Sequence, residues 1–365
     1  MKFRCERDVL ADGLATAARA VSARAPKPVL AGIRFDLVGD RLELTGSDLD
    51  LTITVDLVVA GDTDGTIVIP AKYAVDIVKA LGAGAVTFET DADIVRVSGG
   101  RSDFEVKLIP AVEEFPQFPR SSAESVTLNA HELAEGLRQV VCAASTDDSR
   151  APVLTGVLMA AEGNGLRLVS TDSYRLAKRD LSGVTVLAEG EEVIVPSRAL
   201  NELVRTLSTA EEVKVMVGEQ NATFEVGGTR LTTQLIEGEF PNYRGLIPAV
   251  HHNRLTVGRD DLINAVRRVK LMAREATPVR LSMRDGSVDL VAITQDVGQA
   301  HEQVDAKYEG EPLEVAFNPD FLLTGLEVSP GDEITIDTVE SSKPALLKSI
   351  DSDEFLYLLM PVRVS

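Results

Sequence analysis

A disulfide framework is the first thing missing. Cys5 and Cys142 are the only cysteines in 365 residues, so covalent staples do not hold the fold and a reducing, cytoplasmic setting is expected. Long apolar runs are missing too: none approaches the ~20 residues a helix needs to cross a bilayer, and no membrane partner is expected. The opening Met1-Lys2-Phe3-Arg4-Cys5-Glu6-Arg7 reads as a polar-flanked strand and lacks the apolar core of a signal peptide. A basic balance is also absent. With 37 Lys and Arg against 57 Asp and Glu, the formal net charge is -20, the opposite of a protein that coats DNA nonspecifically. Any DNA role must depend on where the charges sit.

Convergent catalytic groups are scarce as well. The four histidines, His131, His251, His252 and His301, have no partners at zinc-ligand spacing beyond the adjacent pair, which cannot close a tetrahedral site alone. "LGAGAV" lacks the third glycine of a dinucleotide loop, and no glycine-rich stretch ends in Gly-Lys-Ser/Thr. Asp48 and Asp50 in "GSDLD" come closest to a metal site or to the acids of a metal-dependent hydrolase. Their counterpart in "TDSY", Thr171 to Tyr174, argues for turn structure instead. Cys5 and Cys142 sit among apolar residues and read as inert core thiols, and Asp351, Asp353 and Glu354 read as a solvated acidic turn. No catalytic residue, metal or cofactor is expected.

What the chain does have is a threefold repeat. Hydrophobic residues at 44% and charged residues at 26% are those of a globular protein, and the length suits two or three domains. Four landmarks recur in order. A strand and amphipathic helix come first ("LADGLATAARAVSAR", "HELAEGLRQVVCAAS", "DDLINAVRRVKLMARE"). Then come "PVLAGIRFDL", "PVLTGVLMAA" and "PVRLSMRDG", followed by "LELTGSDLDLTI", "LRLVSTDSYRLAK" and "VDLVAITQDVGQA". A second helix opens at Pro70, Pro196 and Pro319. Pro28, Pro152 and Pro278 are 124 and 126 residues apart, and the helix-opening prolines 126 and 123, so chance does not explain the register. Three domains, 1–118, 125–246 and 247–365, fill the chain, with proline- and serine-rich joins near 117–125 and 244–254. Period-two segments such as "TITVDLVV" alternate with period-three-and-four helices, and turn pairs such as Gly39-Asp40, Gly61-Asp62 and Gly99-Gly100 separate the strands. Each domain is expected to be α+β, two helices packed on antiparallel sheets.

Along its whole length the sequence resembles the bacterial DNA polymerase III β subunits, the β sliding clamps. The resemblance is carried by "MKFRCERDVL", "TDSYRLAKRD", "EGEFPNYRGLIP" and the closing "YLLMPVRV". It implies a non-catalytic processivity factor: a head-to-tail homodimer closing a six-domain ring around double-stranded DNA. The implied partners are the replicative polymerase α subunit, the clamp loader, and other polymerases and repair proteins, all bound through short linear peptides. Size agrees with two copies. A 120-residue domain behaves as a sphere ~35 Å across; three in a ring leave a hole of ~5 Å, and six leave ~35 Å. A duplex about 20 Å wide passes only the second.

Charge placement fits a hole lined by helices. The expected helices, 6–24, 72–81, 131–142, 198–207, 260–275 and 319–326, carry formal charges of 0, +1, -1, +1, +1 and -1, so the acid excess lies on strands and loops. Backbone-directed, weak contacts would let such a ring slide. Candidate DNA-facing cations are Arg24, Lys72, Lys79, Arg138, Arg150, Arg167, Arg198, Arg205, Arg267 and Lys270, each of which also reads as a plain solvated charge. The resemblance singles out Arg24, Arg150, Arg167 and Arg198.

The apolar end, Leu358 to Val362, must be buried or covered by a partner, and Pro361 breaks strand pairing beside it. From composition alone these residues read as interdomain core. The resemblance makes them a peptide pocket between the second and third domains, formed with Leu154, Thr171, Ser173, Tyr174, Arg175, Leu176, Pro241, Leu246 and Arg363. The expected ligand is an alternating peptide ending in Leu-Phe. Gly245 replaces a frequent basic residue and Tyr174 a frequent histidine, two departures at the pocket rim. The resemblance also pairs a strand carrying Phe104 and Val106 with Leu271 and Met272 of a second copy. "SDFEVKLIP" alternates as an edge strand would, although an interior strand reads the same way.

Overall fold

The structure is a computed structural model and describes residues 1–22, 27–116, 124–149, 151–274 and 277–363. Each repeat runs in one order: a strand, a helix, a group of strands, a second helix and three closing strands. The helices are α1 (Arg7–Ala18), α2 (Ala71–Ala80), α3 (Ala130–Val141), α4 (Ser197–Leu207), α5 (Arg259–Lys270) and α6 (Pro319–Val328). No helix among the described residues is long and apolar enough to cross a membrane.

Two helices are shorter than expected. α1 stops at Ala18 and α5 at Lys270, where the sequence pattern ran to 24 and 275. The amides of Arg19, Ala20 and Val21 each bond the carbonyl three residues back, as do those of Leu271, Met272 and Ala273, and of Ala143 and Ala144 after α3. This tightened turn satisfies the last carbonyls while keeping apolar residues near helical spacing, so the pattern carries no stop signal. With the observed bounds the six helices carry formal charges of -1, +1, -1, +1, +2 and -2, which cancel, while the chain is at -20.

The repeat extends to backbone strain. After the second strand of each strand group a tight turn places a non-glycine residue at positive φ: Leu49 at 86°, Ser173 at 76° and Asp296 at 66°. Such a conformation costs about 1–3 kcal/mol and persists only where its surroundings impose it. In the first two repeats they do. Asp48 Oδ1 accepts from the Leu51 amide at 2.9 Å, and Asp172 Oδ1 from the amides of Tyr174 and Arg175 at 2.9 and 3.0 Å. Asp48 is thus a turn residue, and no metal-holding cluster of His, Cys, Asp or Glu exists among the described residues. Gly61-Asp62, expected as a turn, lies inside the strand Ala60–Thr63. A Cβ at Gly61 would stand 1.9 Å from the Gly39 carbonyl oxygen, so this glycine serves close backbone approach.

The chain folds as two compact units. The first, Met1–His131 with Glu202–Leu235, holds two sheets. One has five strands in the order 60–63, 2–6, 85–91, 94–99 and 102–107. The other has eight, in the order 126–129, 212–217, 221–226, 229–234, 51–58, 41–47, 32–38 and 65–70. The strand Leu51–Val58, expected to alternate, is buried on both faces from Leu51 to Val55. Its threonines are accommodated by cross-strand hydroxyl contacts, Ser47–Thr52 at 2.8 Å and Thr45–Thr54 at 3.4 Å.

The second unit, Glu132–Asn201 with Ile236–Ser365, holds one sheet of twelve strands. Their order is 192–196, 156–162, 165–171, 175–182, 355–359, 345–349, 333–338, 253–258, 298–309, 287–294, 279–284 and 313–317. Both large sheets are continued from one repeat into the next by the same join. The strand after the positive-φ turn pairs antiparallel with the last strand of the following repeat: Leu51 opposite Thr233, and Arg175 opposite Leu359.

Candidate functional site

The second join carries the candidate groove. Thr171 ends the strand Gly165–Thr171 and is buried; its hydroxyl donates to the Arg175 carbonyl at 2.6 Å and accepts from the Ser173 amide at 3.1 Å. The positive φ at Ser173 follows from this closure and turns Tyr174 outward, leaving it 63% exposed. Arg175 turns inward. Its Nε donates to Asp172 Oδ2 at 2.9 Å and its guanidinium lies 4.3 Å from the centre of the Phe321 ring on α6. The Tyr174 ring leans on the same Phe321, 6.3 Å between centroids.

One step along the strand, Leu176 faces Leu358 across the pair, and both are buried in a cluster with Val169, Phe240, Tyr243, Leu346 and Leu356. Val153 and Ile247 pack against that cluster, while their neighbours Leu154 and Leu246 are half-buried and exposed. Pro241 is exposed. The terminal segment then peels from regular pairing. The Met360 amide donates to the Tyr174 carbonyl at 2.9 Å and the Val362 amide to the Ala316 carbonyl at 2.8 Å. Met360 and Val362 are each 38% exposed, Pro361 is half-buried and Arg363 exposed. A 600 Å³ cleft runs beside Met360 to Arg363 and the strand Leu313–Phe317. The arrangement offers apolar side chains beside open backbone, which suits an extended apolar peptide.

Sequence reasoning missed Asp172, Phe321 and Tyr357. Asp172 had a signal, its repeat equivalence to Asp48. Phe321 and Tyr357 had none, because the cation–ring contact with Arg175 and the Tyr357 hydroxyl donating to the Phe321 carbonyl at 2.9 Å join distant segments. Burial pushes the Tyr357 hydroxyl upward, partly opposed by Arg175. It also pushes the nearby Cys142 thiol up to about 11. Both groups stay protonated at neutral pH.

The candidate dimer strand Ser102–Lys107 is an edge, with one neighbour among the described residues. Phe104 is 38% exposed and Val106 is buried. In the other unit, Leu271 is 81% exposed, and Met272 accepts from the Thr294 hydroxyl at 2.5 Å. That bond ties the end of α5 to a hairpin tip bearing exposed Ile293 and Val297.

The candidate DNA cations divide. Arg24 and Arg150 lie outside the described residues. Arg138 is held by Glu135 at 2.8 Å, Arg205 by Glu202 at 2.9 Å, Arg267 by Glu327 at 2.7 Å, and Lys270 by Asp320. Arg198 is exposed at the start of α4 and engaged with a neighbour. Lys72 and Lys79, seven residues apart on one face of α2, are exposed and in no ion pair among the described residues. Arg167 is not on a helix face. Leu168 and Ser170 point toward α3, where the Ser170 hydroxyl bonds the Val140 carbonyl, so Arg167 points to the opposite face of the sheet. There Asp180 at 2.6 Å and Glu162 at 2.9 Å bind it, and Asp180 holds its guanidinium above the ordinary value. Glu354, expected to be solvated, pairs with Arg179 at 2.8 Å.

Comparison with known proteins gives a consistent picture. The N-terminal, central and C-terminal domains of the DNA polymerase III beta subunit family match residues 1–119, 127–242 and 244–363. The beta sliding clamp of Streptomyces coelicolor is 36% identical and that of Synechococcus elongatus 34%, each over the full length of both chains. Among solved structures, the DNA polymerase sliding clamp of Bacillus subtilis superposes with a TM-score of 0.94 at 28% identity. The beta subunit of Bartonella birtlesii, bound to griselimycin, gives 0.93 at 30%; both comparisons cover all of each chain.

Proposed function

The chain belongs to the DNA polymerase III beta subunit family and is a sliding clamp, a non-catalytic processivity factor of replication; from that premise we propose that two copies close head to tail into a ring around duplex DNA. The ring tethers the polymerase, the clamp loader and repair proteins through peptides seated on Thr171 to Leu176 and Leu358 to Arg363. The domains run 1–118, 125–246 and 247–365, supported by the three family matches.

One observation carries the dimer. Two joins within the chain pair the strand after a positive-φ turn with the last strand of the next repeat. Two strands of those same kinds are left over: Ser102–Lys107, an edge, and Gly298–Glu309, which pairs on its second side only from Ala306 onward. Applying the same join between copies sets Val106 opposite Gly298, Phe104 opposite Ala300 and Asp103 opposite His301. No like charges meet in that register. The exposed Leu271, Ile293 and Val297 at the same end of the fold are then covered, as an apolar edge requires. Two such contacts related by a two-fold axis close the ring and leave neither of these two strands with an open side.

Inside the ring the candidate contacts are Arg24, Lys72, Lys79, Arg150, Arg198 and Arg205, with cancelling helix charges keeping the attraction weak. Arg167, on the far face of its sheet, is left out. The test is topological. Sedimentation should give a mass near twice 39.2 kDa, and the loaded protein should stay on nicked circles and leave linear DNA by its ends. A stable monomer, or equal retention on both substrates, would refute the ring.

A further inference from the structure

We propose that the sheet face bearing the peptide groove continues into a second subsite, which binds a carboxylate of the docked peptide. The inference rests on the peptide-groove reading. Along this face the side chains fall into two blocks. Thr171, Leu176, Leu346 and Leu358 form the apolar block. Two residues further along the same strands stand Lys178, Lys348 and Leu356, and two residues beyond Lys178 stands Asp180, which faces Arg167 on the neighbouring strand. Two residues of strand span about 7 Å.

Over the second block lies a cavity of about 380 Å³, roofed by Tyr243, Arg244 and Ile247. Leu356 and Ile247 line this cavity and also pack in the apolar cluster of Leu176 and Leu358, so the two sites are continuous. An extended peptide advances about 3.3 Å per residue. Its second residue beyond an apolar anchor seated on Leu176 and Leu358 therefore reaches the cavity.

The cavity has more cations than anions. Asp180 accepts from Arg167 and from Lys178, both at 2.6 Å, and Glu162 accepts from Arg167 at 2.9 Å and Arg244 at 2.7 Å. Burial pushes the Asp180 carboxyl up, and the bonds from Arg167 and Lys178 more than offset this, holding it below its ordinary value. Those two acids are shared among three cations. Lys348 is a fourth, half-buried and in no ion pair among the described residues, and the exposed Asp353 is the remaining carboxylate on the lining. A locally positive cavity on a chain of net charge -20 selects for a carboxylate and against a cationic residue at that peptide position. The donors are Lys348 and Arg244, whose side chain is 59% exposed and already shares Glu162 with Arg167. The carboxylate comes from an Asp or Glu side chain or from the peptide's own terminus.

The test uses four labelled peptides sharing one Leu-Phe anchor. Beyond the anchor one ends in Gly-amide, one in Gly with a free carboxylate, one in Gly-Asp-amide and one in Gly-Asn-amide. Each is titrated by fluorescence anisotropy into the full-length protein and into Lys348→Gln and the Lys348→Gln, Arg244→Gln double variant. The Gly-Asp peptide should bind about three- to fivefold tighter than Gly-Asn, the range of an exposed ion pair. The double variant should erase that advantage and leave Gly-Asn binding unchanged. An advantage only for the free carboxylate over its amide assigns the subsite to the peptide terminus. If no peptide binds, the groove reading fails. If all four bind alike, or the advantage survives in the double variant, the groove stands and the carboxylate subsite is wrong.

Discussion

The backbone amide of Met360 donates to the carbonyl of Tyr174 at 2.9 Å. This bond continues the register of Arg175 with Leu359 by one residue and pins the apolar tail to the strained turn at Ser173. Deleting Met360 to Ser365 should abolish binding of a Leu-Phe peptide while the sedimentation mass stays that of a dimer. Wild-type affinity in the truncated protein would remove the tail from the site.

The repeat-derived register at the seam is open to cross-linking. With Cys5 buried and the Cys142 thiol largely so, Phe104→Cys combined with Ala300→Cys should yield a covalent dimer on mild oxidation. Phe104→Cys with Gln303→Cys, three residues out of register, should not. Separately, Leu271→Asp places an unpaired charge on a covered apolar patch and should shift the protein toward monomer by tenfold or more in dissociation constant.

Ion pairing predicts which helix cations matter to DNA. Reversing Lys72 and Lys79 to Glu should weaken affinity for duplex DNA and lower the slope of log affinity against log salt by about two, near 0.9 per lost phosphate contact, while a closed ring stays on nicked circles. Reversing Arg138 and Arg267, already engaged with Glu135 and Glu327, should do less. Reversing Arg24 and Arg150 should impair loading on primed DNA with the dimer intact.

Gly156 is a packing glycine. A Cβ there would stand 2.4 Å from Ile194 Cγ2 and 2.9 Å from Ile236 Cδ1. Gly156→Ala should cost about 1–3 kcal/mol in chemical denaturation, in the range of overpacked cores. Gly245→Ala, with nothing within 4 Å of the added atom, should stay within about 0.5 kcal/mol.

The Cys142 thiol gives a pH prediction. With its pKa raised to about 11 by burial, roughly one molecule in a thousand is thiolate at pH 8, so iodoacetamide should leave Cys142 unmodified in the folded protein. Reactivity should rise as pH approaches 11 or on unfolding. Fast alkylation at pH 8 would show that the thiol is neither buried nor shielded.

The repeat was legible because four landmarks at near-constant spacing leave their mark on residue order alone. From it followed three α+β units, six helices and the turn role of Asp48; the strand carrying Phe104 read equally as edge or interior until the sheet order placed it at an end. The ends of α1 and α5 were not legible, since a tightened last turn keeps the apolar spacing. Nor was the role of Gly61, where a distant carbonyl sets the constraint.

Sequence by itself determined which segments are equivalent, because hydrophobic period and turn residues act locally. Tertiary structure alone decided which charges remain free. Arg167 and Lys72 look alike along the chain, yet Arg167 meets Asp180 and Glu162 on a sheet face while Lys72 is in no ion pair among the described residues. Ion pairing depends on a few ångströms between residues far apart in sequence, and that distance is fixed only when strands pair and helices dock.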